Sequence, residues 1–413
     1  MVIIEFFSRT PIENMISTLV NAPERVVFVG EYKVMKKYED TFYRFMDAVG
    51  RNETVLEFRD VPVHELHEIV RVVEEIVRDY PGCCFDMTGG DSLSMAAMGI
   101  VYERYRETGL ELHQYNIRTG EVYDCDLNGS TVSAGIPDMT VEQNIILHGG
   151  SLVTDPDRQY TMYPWDFSDG LADDVEELWE ICRKDCGQWN FQVTMLGDML
   201  SYNTSDDPLE LCLDAEAFRT DYEALGYYVN YRKVFPELQK AGFISDLQTE
   251  GEEFFLRFRD EQVKECLTKA GTLLELYTFL SAWYVTAKNG EPFYYDALTG
   301  VVIDWDGDLH GPDEEAVDTE NEIDVLLMHG AVPVFISCKN GSVNEEELYK
   351  LNTVAERFGG KYAKKALVVT NYGRSRSNLR YLYDRAAELK IRIIDDVQDM
   401  TAAEFRRKLR ALA

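Results

Sequence analysis

The segment at residues 320–341, ENEIDVLLMHGAVPVFISCKNG, combines strand-forming apolar residues with ionisable side chains. Asp324 and Lys339 fall on two neighbouring predicted strands, and Glu275 falls on the apolar helix that precedes them. An unpaired carboxylate or ammonium group is costly to bury, so these groups must pair with one another or with a metal ion. Two interpretations fit: a salt-bridge network, or a divalent-metal site built from hard oxygen ligands beside a lysine.

The metal-site interpretation predicts phosphodiester chemistry. A bound Mg²⁺ or Mn²⁺ ion would polarise a phosphodiester oxygen and lower the pKa of a bound water, while the lysine would orient that water or stabilise the developing charge. Side chains alternate along a strand, so Ser337 and Lys339 are expected to point to one face. The same alternation places Glu322 beside Asp324, where it could reach the ion.

A second candidate site lies in the first part of the chain, where a predicted strand is followed by Thr88-Gly89-Gly90 and a helix. Two glycines allow backbone N–H groups to approach an anion, and the helix start adds its positive dipole end, so a phosphate-bearing ligand is expected. The first strand ends in a polar turn at the same predicted sheet edge, around Arg9. The structural alternative is a tight turn into a capped helix.

Three regions must position these residues. Residues 1–150 alternate strand-like and helix-like segments, which predicts a doubly wound parallel α/β sheet. Residues 151–261 are mainly helical, and the stretch around Gly242 predicts a helix followed by a two-stranded wing. This winged-helix-like module could serve in packing and dimer contacts or could read bases. Residues 262–413 return to mixed α/β, with a small sheet flanked by helices.

Composition narrows the function further. The formal charge of −33 over 413 residues argues against broad attraction to nucleic acid or anionic lipid, so a polyanion must meet a local basic patch or bound cations. No apolar run is long enough to span a membrane, and none resembles a secretory signal. Eight cysteines are too sparse for a disulfide scaffold, which favours a reducing cytoplasm. Cys182 and Cys186 lie one helical turn apart, but no second pair completes a zinc site.

The arrangement Gly271-x-x-x-Glu275, a strand carrying Asp324, and a strand ending in Lys339 resembles the PD-(D/E)XK restriction-endonuclease-like core. The stretch at 321–341 is similar to the nuclease domain of CRISPR-associated CARF nucleases. The first region, with DMTGGDS at residues 86–92, resembles the CARF fold, a Rossmann-like domain that binds cyclic oligoadenylate. These matches cover the two ends of the chain, about two thirds of it.

The resemblance implies a type III CRISPR ancillary nuclease for antiviral defence. Two chains would form a homodimer that binds one ring, most simply cyclic tetra-adenylate, and the ring would activate metal-dependent cleavage of DNA or RNA. Glu275 and Asp324 match the metal ligands, and Lys339 matches the catalytic lysine. The expected ligand-binding residues are Ser8, Arg9, Thr10, Asp86, Thr88, Gly89, Gly90 and Asp91.

One residue departs from the family pattern. Ser337 stands where the core motif has an acid, and a hydroxyl is a poor ligand for a hard cation. The backbone carbonyl of Cys338 and the carboxylate of Glu322 would then complete the metal site. The alternative is a ligand-gated nucleic-acid-binding regulator with a degenerate nuclease core. A dinucleotide-dependent oxidoreductase is disfavoured because the first region has no G-x-G-x-x-G fingerprint.

Overall fold

The computed structural model describes residues 1–62, 64–125, 131–132, 135–158, 160–168, 170–310, 319–370 and 376–413. Helices and strands alternate along much of the chain, and the strands form three separate sheets. The predicted mixed α/β class is therefore confirmed. No helix among the described residues is both long and apolar enough to cross a membrane.

The N-terminal sheet has the strand order β3-β2-β1-β4-β5-β6-β7. Its first five strands are parallel, and the last two run antiparallel after a hairpin turn at Gly120. This confirms the predicted doubly wound sheet with a closing hairpin. The strands are β1 (Val2–Phe6), β2 (Arg25–Gly30), β3 (Val55–Asp60), β4 (Cys84–Asp86), β5 (Glu111–Asn116), β6 (Glu121–Asp124) and β7 (Thr131–Val132).

Helices cover both faces of this sheet, because each has an apolar stripe that must be buried. The helices on one face pack into a core with the C-terminal region, whereas α4 and α5 close a separate core on the other face. The helices are α1 (Pro11–Asn21), α2 (Tyr32–Met35), α3 (Glu39–Ala48), α4 (Leu66–Asp79), α5 (Ser92–Tyr105) and α6 (Val141–Leu147).

The middle region combines helices with a three-stranded antiparallel sheet of order β10-β11-β9. Helix α10 ends at Gly242, which adopts the left-handed conformation, and a two-stranded hairpin follows, as predicted from the sequence. Strand β8 (Ser151–Leu152) precedes this region. The remaining elements are α7 (Leu171–Cys182), α8 (Cys186–Met199), β9 (Glu210–Asp214), α9 (Ala215–Ala224), α10 (Val234–Ala241), β10 (Ile244–Gln248), β11 (Glu253–Phe258) and α11 (Glu261–Thr268).

The C-terminal sheet has the order β16-β15-β14-β13-β12-β8. Strands β14, β15 and β16 are parallel, whereas β8, β12, β13 and β14 pair antiparallel. The elements are α12 (Thr272–Trp283), β12 (Asp296–Asp304), β13 (Glu320–His329), β14 (Val332–Lys339), α13 (Glu345–Gly359), β15 (Lys364–Val369), α14 (Arg376–Glu388), β16 (Ile391–Ile394) and α15 (Ala402–Arg410).

Both faces of the C-terminal sheet are buried, but in different cores. One face packs with α13 and joins the core that contains α1, α3 and α6 of the N-terminal region. The other face packs with α12, α15 and the middle helices. The sheet thus connects the three regions, and strand β8 at residues 151–152 adds to its edge. The region boundaries predicted at 150 and 261 stay predictions.

Candidate functional site

The catalytic candidates lie where two neighbouring strands of the C-terminal sheet separate. The β13–β14 ladder ends at the pair Val325 and Ile336. Beyond this pair, β13 stays paired with β12 as far as Glu320, and β14 stays paired with β15 as far as Lys339. Each strand keeps one neighbour and loses the other, so a cleft opens between them. We call this separation the strand fork.

Asp324 is the first β13 residue past the last ladder pair, and its carboxylate lies in the strand fork. Its Oδ2 atom accepts a hydrogen bond from the Cys338 backbone N–H at 2.5 Å and another from the Ser337 hydroxyl at 3.1 Å. The side chain is 13% exposed. The backbone of β14 therefore fixes this carboxylate, and Ser337 serves here as a donor to an acid.

Lys339, at the end of β14, is held between two carboxylates. Its Nζ lies 3.6 Å from Oδ2 of Asp324 and 3.3 Å from Oε2 of Glu347. Burial acts to lower the pKa of the Lys339 ammonium, but the two carboxylates outweigh burial and raise this pKa. The side chain stays cationic at neutral pH, so it can stabilise negative charge but cannot act as a general base.

Glu275 lies near Asp324, in the first turn of α12, a helix that begins directly after Gly271. A Cβ atom at Gly271 would lie 3.0 Å from Oε1 of Glu275, so the glycine leaves room for this carboxylate. Burial, followed by the charges of Asp324 and Glu322, raises the pKa of Glu275 well above its usual value. Desolvation and the charge of Asp324 likewise raise the pKa of Glu322.

These mutual shifts show an excess of negative charge around Asp324. Lys339 offsets part of it and also acts to lower the pKa of Glu275 and Glu322. Carboxylate oxygens are the ligands that Mg²⁺ and Mn²⁺ prefer, and a divalent cation would remove the remaining repulsion. The donor set thus fits the metal that the sequence implies.

The side chains proposed to bind the metal do not form a compact cluster in the structure. Among the residues that the structure describes, one group of three acidic, histidine or cysteine side chains has its donor atoms within 4.8 Å of one another: Cys84, Glu111 and His113. Neither the three acids around Asp324 nor the Cys182 and Cys186 pair belongs to such a group. The donor atoms of these acids are therefore not all within 4.8 Å of one another.

A cavity of about 370 Å³ opens onto the strand fork. Its walls are the separating strand ends and the first turns of α13, so a substrate phosphate entering it would meet both acids and lysines. Glu275 does not line this cavity, and it lies on the face of the sheet that α12 covers. The lining residues at the strand fork are Asn321, Glu322, Ile323, Asp324, Ser337 and Lys339.

Sequence reasoning missed the role of Glu347 in this site. Its place three residues after Asn344 predicts a capping box, and Asn344 does accept a hydrogen bond from the Glu347 backbone N–H. The Glu347 carboxylate, however, lies 3.3 Å from Lys339 and 3.4 Å from Lys350. Only the tertiary packing of α13 on β14 reveals this contact, since both uses of the side chain are compatible with the same local spacing.

In the N-terminal region, the glycine turn packs directly against the end of β1. A Cβ atom at Gly90, where φ is +98°, would lie 2.8 Å from Cβ of Phe6. A Cβ atom at Gly89 would lie 3.0 Å from Cβ of Ser8. Both glycines are therefore required for this close approach. Asp91 caps α5 by accepting hydrogen bonds from the backbone N–H groups of residues 93 and 94.

The loop after β1 is held by polar contacts with α1. The Ser8 hydroxyl donates to Oε2 of Glu13 at 2.7 Å, and the Thr10 backbone N–H donates to the same hydroxyl at 3.1 Å. The other carboxylate oxygen, Oε1 of Glu13, lies 2.6 Å from both the Tyr362 hydroxyl and Lys361 Nζ. One buried carboxylate thus joins the predicted ligand loop to the segment before β15.

A cavity of about 570 Å³ lies at the carboxyl edge of β1, β2 and β4. Four of the predicted ligand residues line it, and Arg9 is exposed there. Thr88 lies elsewhere: its hydroxyl accepts from the Tyr115 backbone N–H at 2.9 Å. Besides Ser8, Arg9, Gly90 and Asp91, the lining residues include Phe7, Glu31, His64 and Ser92.

Asp86 supports the glycine turn from within the core. Its Oδ1 accepts from the Thr88 backbone N–H at 2.7 Å. Across the sheet it pairs with Glu5, and both side chains are fully buried. Among the described residues, neither Oδ2 of Asp86 nor Oε2 of Glu5 has another donor. Burial raises the pKa of Asp86 to about 7 and that of Glu5 well above its usual value, which favours the protonated form of these carboxyl groups.

No family model matches the chain, and no curated protein matches it. Among solved structures, protein VC1899 from Vibrio cholerae aligns with a TM-score of 0.72 at 16% identity, covering 99% of this chain and 97% of that one. Can2 from Sulfobacillus thermosulfidooxidans, in complex with cyclic tetra-adenylate, aligns with a TM-score of 0.68 at 15% identity, covering 100% and 98%. The chain therefore shares its α/β fold with these two structures over almost its full length.

Proposed function

We propose that the protein is a metal-dependent nuclease that cyclic oligoadenylate activates. The observation that carries this proposal is the strand fork, where Asp324 and Lys339 meet at an open cavity beside two further acids with raised pKa values. An ion pair that served only to stabilise the fold would need neither the cavity nor the additional carboxylates. The fold shared with Can2, whose structure contains cyclic tetra-adenylate, supports that ring as the activator.

In this proposal, the residues at and beside the strand fork have different roles in phosphodiester hydrolysis. Glu275, Glu322 and Asp324 would hold Mg²⁺ or Mn²⁺, with the Cys338 carbonyl as a further oxygen ligand. The ion would polarise the phosphodiester and lower the pKa of a bound water. Lys339 keeps its charge and would stabilise the negative charge that develops on the phosphate. Ser337 orients Asp324 and is not itself a ligand in this scheme.

Ligand binding is assigned to the edge of the N-terminal sheet. The backbone of the glycine turn, the start of α5 and Arg9 would meet the phosphates of cyclic tetra-adenylate in the 570 Å³ cavity. Asp86, Thr88 and Thr10 would act indirectly by holding the two loops. A ring with two-fold symmetry would suit two such edges in a homodimer, and the function would be antiviral defence beside a type III CRISPR system.

The deciding experiment uses purified protein with labelled single-stranded DNA, duplex DNA and RNA. Each substrate is incubated with cyclic tri-, tetra- or hexa-adenylate, in Mn²⁺, in Mg²⁺ or in a chelator. We expect cleavage only where cyclic tetra-adenylate and a divalent ion are both present, and no cleavage by Asp324→Asn. Cleavage that persists in the chelator, or in the Asp324→Asn variant, would refute the assignment.

A second candidate function rests on Ser337, which replaces the acid of the usual motif. In this alternative the protein binds nucleic acid when the ligand is present but does not cut it. A ligand-dependent shift of a DNA probe, with intact probe recovered from every metal condition, would favour this regulator over the nuclease.

A further inference from the structure

A group of cations lies at the junction between the N-terminal hairpin and the C-terminal sheet, around a cavity of about 310 Å³. The cations come from the turn between β5 and β6, the segment between α13 and β15, and the starts of β15 and β16. We call this group the junction cluster. It consists of Arg118, Lys361, Lys364, Lys365, Lys390 and Arg392.

The junction cluster is short of acidic partners. Among the residues described, only Lys361 forms an ion pair, with Glu13 at 2.6 Å. Three of the other five donate to neutral oxygens: Arg118 to the Lys361 carbonyl at 3.4 Å, Lys365 to the Asn352 side chain at 2.5 Å, and Arg392 to a backbone carbonyl near the C-terminus. Except for Lys365, which is buried, the side chains are partly or fully exposed and remain available to an anion that enters the cavity.

So few acidic partners are unexpected in a chain that is rich in acids. Acidic residues number 74 against 41 lysines and arginines, so a cation picked at random would have acids nearby. Burial lowers the pKa of Lys365, the charge of Glu356 acts to raise it, and the repulsion from Lys390 acts to lower it again. Cations that repel one another in an acidic protein are best explained by a polyanionic ligand that they bind.

The position of the cluster separates it from the catalytic cavity. Lys364 pairs with Val334 on β14, five residues before Lys339 on the same strand. At about 3.3 Å per residue, the two sites are about 17 Å apart along the sheet. A nucleic-acid duplex advances about 3.4 Å per nucleotide of one strand, so this distance corresponds to about five nucleotides. A phosphate at the cluster is therefore not the one cleaved at Lys339.

We propose that the junction cluster is a docking site for the phosphodiester backbone of a nucleic acid that is longer than the catalytic cavity can hold. Arginine and lysine side chains fit phosphate oxygens, and Tyr362, with the Arg118 guanidinium 5.8 Å from its ring centre, adds an aromatic surface. The choice of nucleic acid as ligand rests on the proposed nuclease function. Cyclic oligoadenylate offers the same phosphodiester chemistry and is the competing source.

The test measures binding in an Asp324→Asn background, so cleavage does not disturb the equilibrium. The double change Lys364→Gln and Arg392→Gln is compared with Lys240→Gln and Lys264→Gln, which removes the same charge from the middle region. Fluorescence anisotropy gives the Kd of a 30-nucleotide and a 3-nucleotide single strand at several salt concentrations, with Mn²⁺ present. Thermal unfolding verifies that each variant is folded.

We expect the junction variant to bind the long strand about 10-fold more weakly and to reduce the slope of log K against log salt by about 1.4, two contacts at about 0.7 each. The short strand and the control variant should show no change. Equal Kd values for both variants on the long strand would overturn the proposal. So would a loss confined to cyclic tetra-adenylate, measured by calorimetry. Because binding is read without cleavage, a failure of the nuclease function leaves this result interpretable.

Discussion

Among the described residues, each of the two large sheets holds a group of neighbouring acids, and the two groups differ in what surrounds them. Glu5 and Asp86 pair across the N-terminal sheet and are fully buried, and burial favours the protonated form of both carboxyl groups. Asp324 and its neighbours lie at the strand fork, beside Lys339 and an open cavity. Protonation thus relieves the repulsion between carboxylates in the N-terminal sheet. At the strand fork, a bound cation would relieve it.

The contrast separates a structural role from a chemical one. A protonated pair needs no access to solvent, and its hydrogen bond to the Thr88 backbone holds the glycine turn. An ionised group with access to solvent can bind a metal ion and a substrate. Raised pKa values alone would not distinguish the two groups, since both show them; the cavity and the lysine do.

The largest expected effect is on the rate of nucleic-acid cleavage at the strand fork. Lys339→Ala removes the cation that stabilises the developing phosphate charge, so cleavage should fall by about 100-fold or more. The rate is measured at saturating metal and activator with a labelled strand. Lys240→Ala, which removes an exposed lysine from α10, provides the matched control and should cleave at the normal rate. A Lys339→Ala rate within twofold of the normal protein would remove the lysine from the mechanism.

Metal binding should distinguish the two acid groups directly. The double change Asp324→Asn and Glu275→Gln should weaken Mn²⁺ binding by about 10-fold or more, because two of the proposed ligands lose their charge. Asp86→Asn should leave it unchanged, because the sealed pair offers no ligand to an ion. Electron paramagnetic resonance of free Mn²⁺ measures both without any substrate. A weaker affinity in Asp86→Asn alone would reverse our interpretation.

The buried pair of Glu5 and Asp86 should make the free energy of unfolding depend on pH. Because the pKa of Asp86 is raised from 3.8 to about 7, the folded protein retains a proton that the unfolded chain releases, and stability falls as pH rises across this interval. Asp86→Asn keeps the acceptor for Thr88 and removes this loss. The variant should therefore be more stable than the normal protein at pH 8, by up to about 4 kcal/mol, and this gain should shrink to nearly nothing near pH 4.

Denaturant unfolding at a series of pH values measures this difference. Asp60→Asn is the control, since Asp60 is exposed at the end of β3 and accepts a hydrogen bond from the Tyr32 backbone at 2.8 Å. Its curve should parallel that of the normal protein at every pH. A constant offset between Asp86→Asn and the normal protein would show that the pair does not hold a proton.

The smallest effect is expected from Glu347, one of the two carboxylates that hold Lys339. Glu347→Gln keeps the shape of the side chain but leaves the lysine paired with Asp324 alone. Cleavage should fall about twofold to fivefold, since the ammonium is less firmly positioned but still charged. Glu345→Gln, on the same helix, is the control. A loss as large as that of Lys339→Ala would place Glu347 among the metal ligands.

Sequence reasoning predicts the elements well because local patterns determine them. The spacing of Leu348, Leu351, Ala355 and Phe358 predicts one buried face of α13, and all four are buried there. Gly242 predicts the end of α10 for an equally local reason, since the left-handed conformation after a helix favours glycine. The doubly wound sheet and its closing hairpin follow from similar patterns.

Long-range features could not be predicted in the same way. Alternation places Ile323 and Val325 on one face, yet they pack in different cores, because β13 changes face opposite Gly300, whose φ is +57°. The pairing of Glu5 with Asp86, 81 residues apart in the chain, depends on strands β1 and β4 being neighbours in the sheet. The site residues at the strand fork are brought together, but their catalytic roles stay predictions.

The carboxylate of Glu13 joins the loop after β1 to the segment before β15, so it could couple the two regions of the molecule. Ser8 holds one of its oxygens, and Tyr362 with Lys361 holds the other. A ring that draws the Ser8 hydroxyl toward itself leaves this acid bound from the far side only. The free-energy difference between the two arrangements is therefore the upper limit of the coupling that this residue can carry from the N-terminal edge to the strands next to the strand fork.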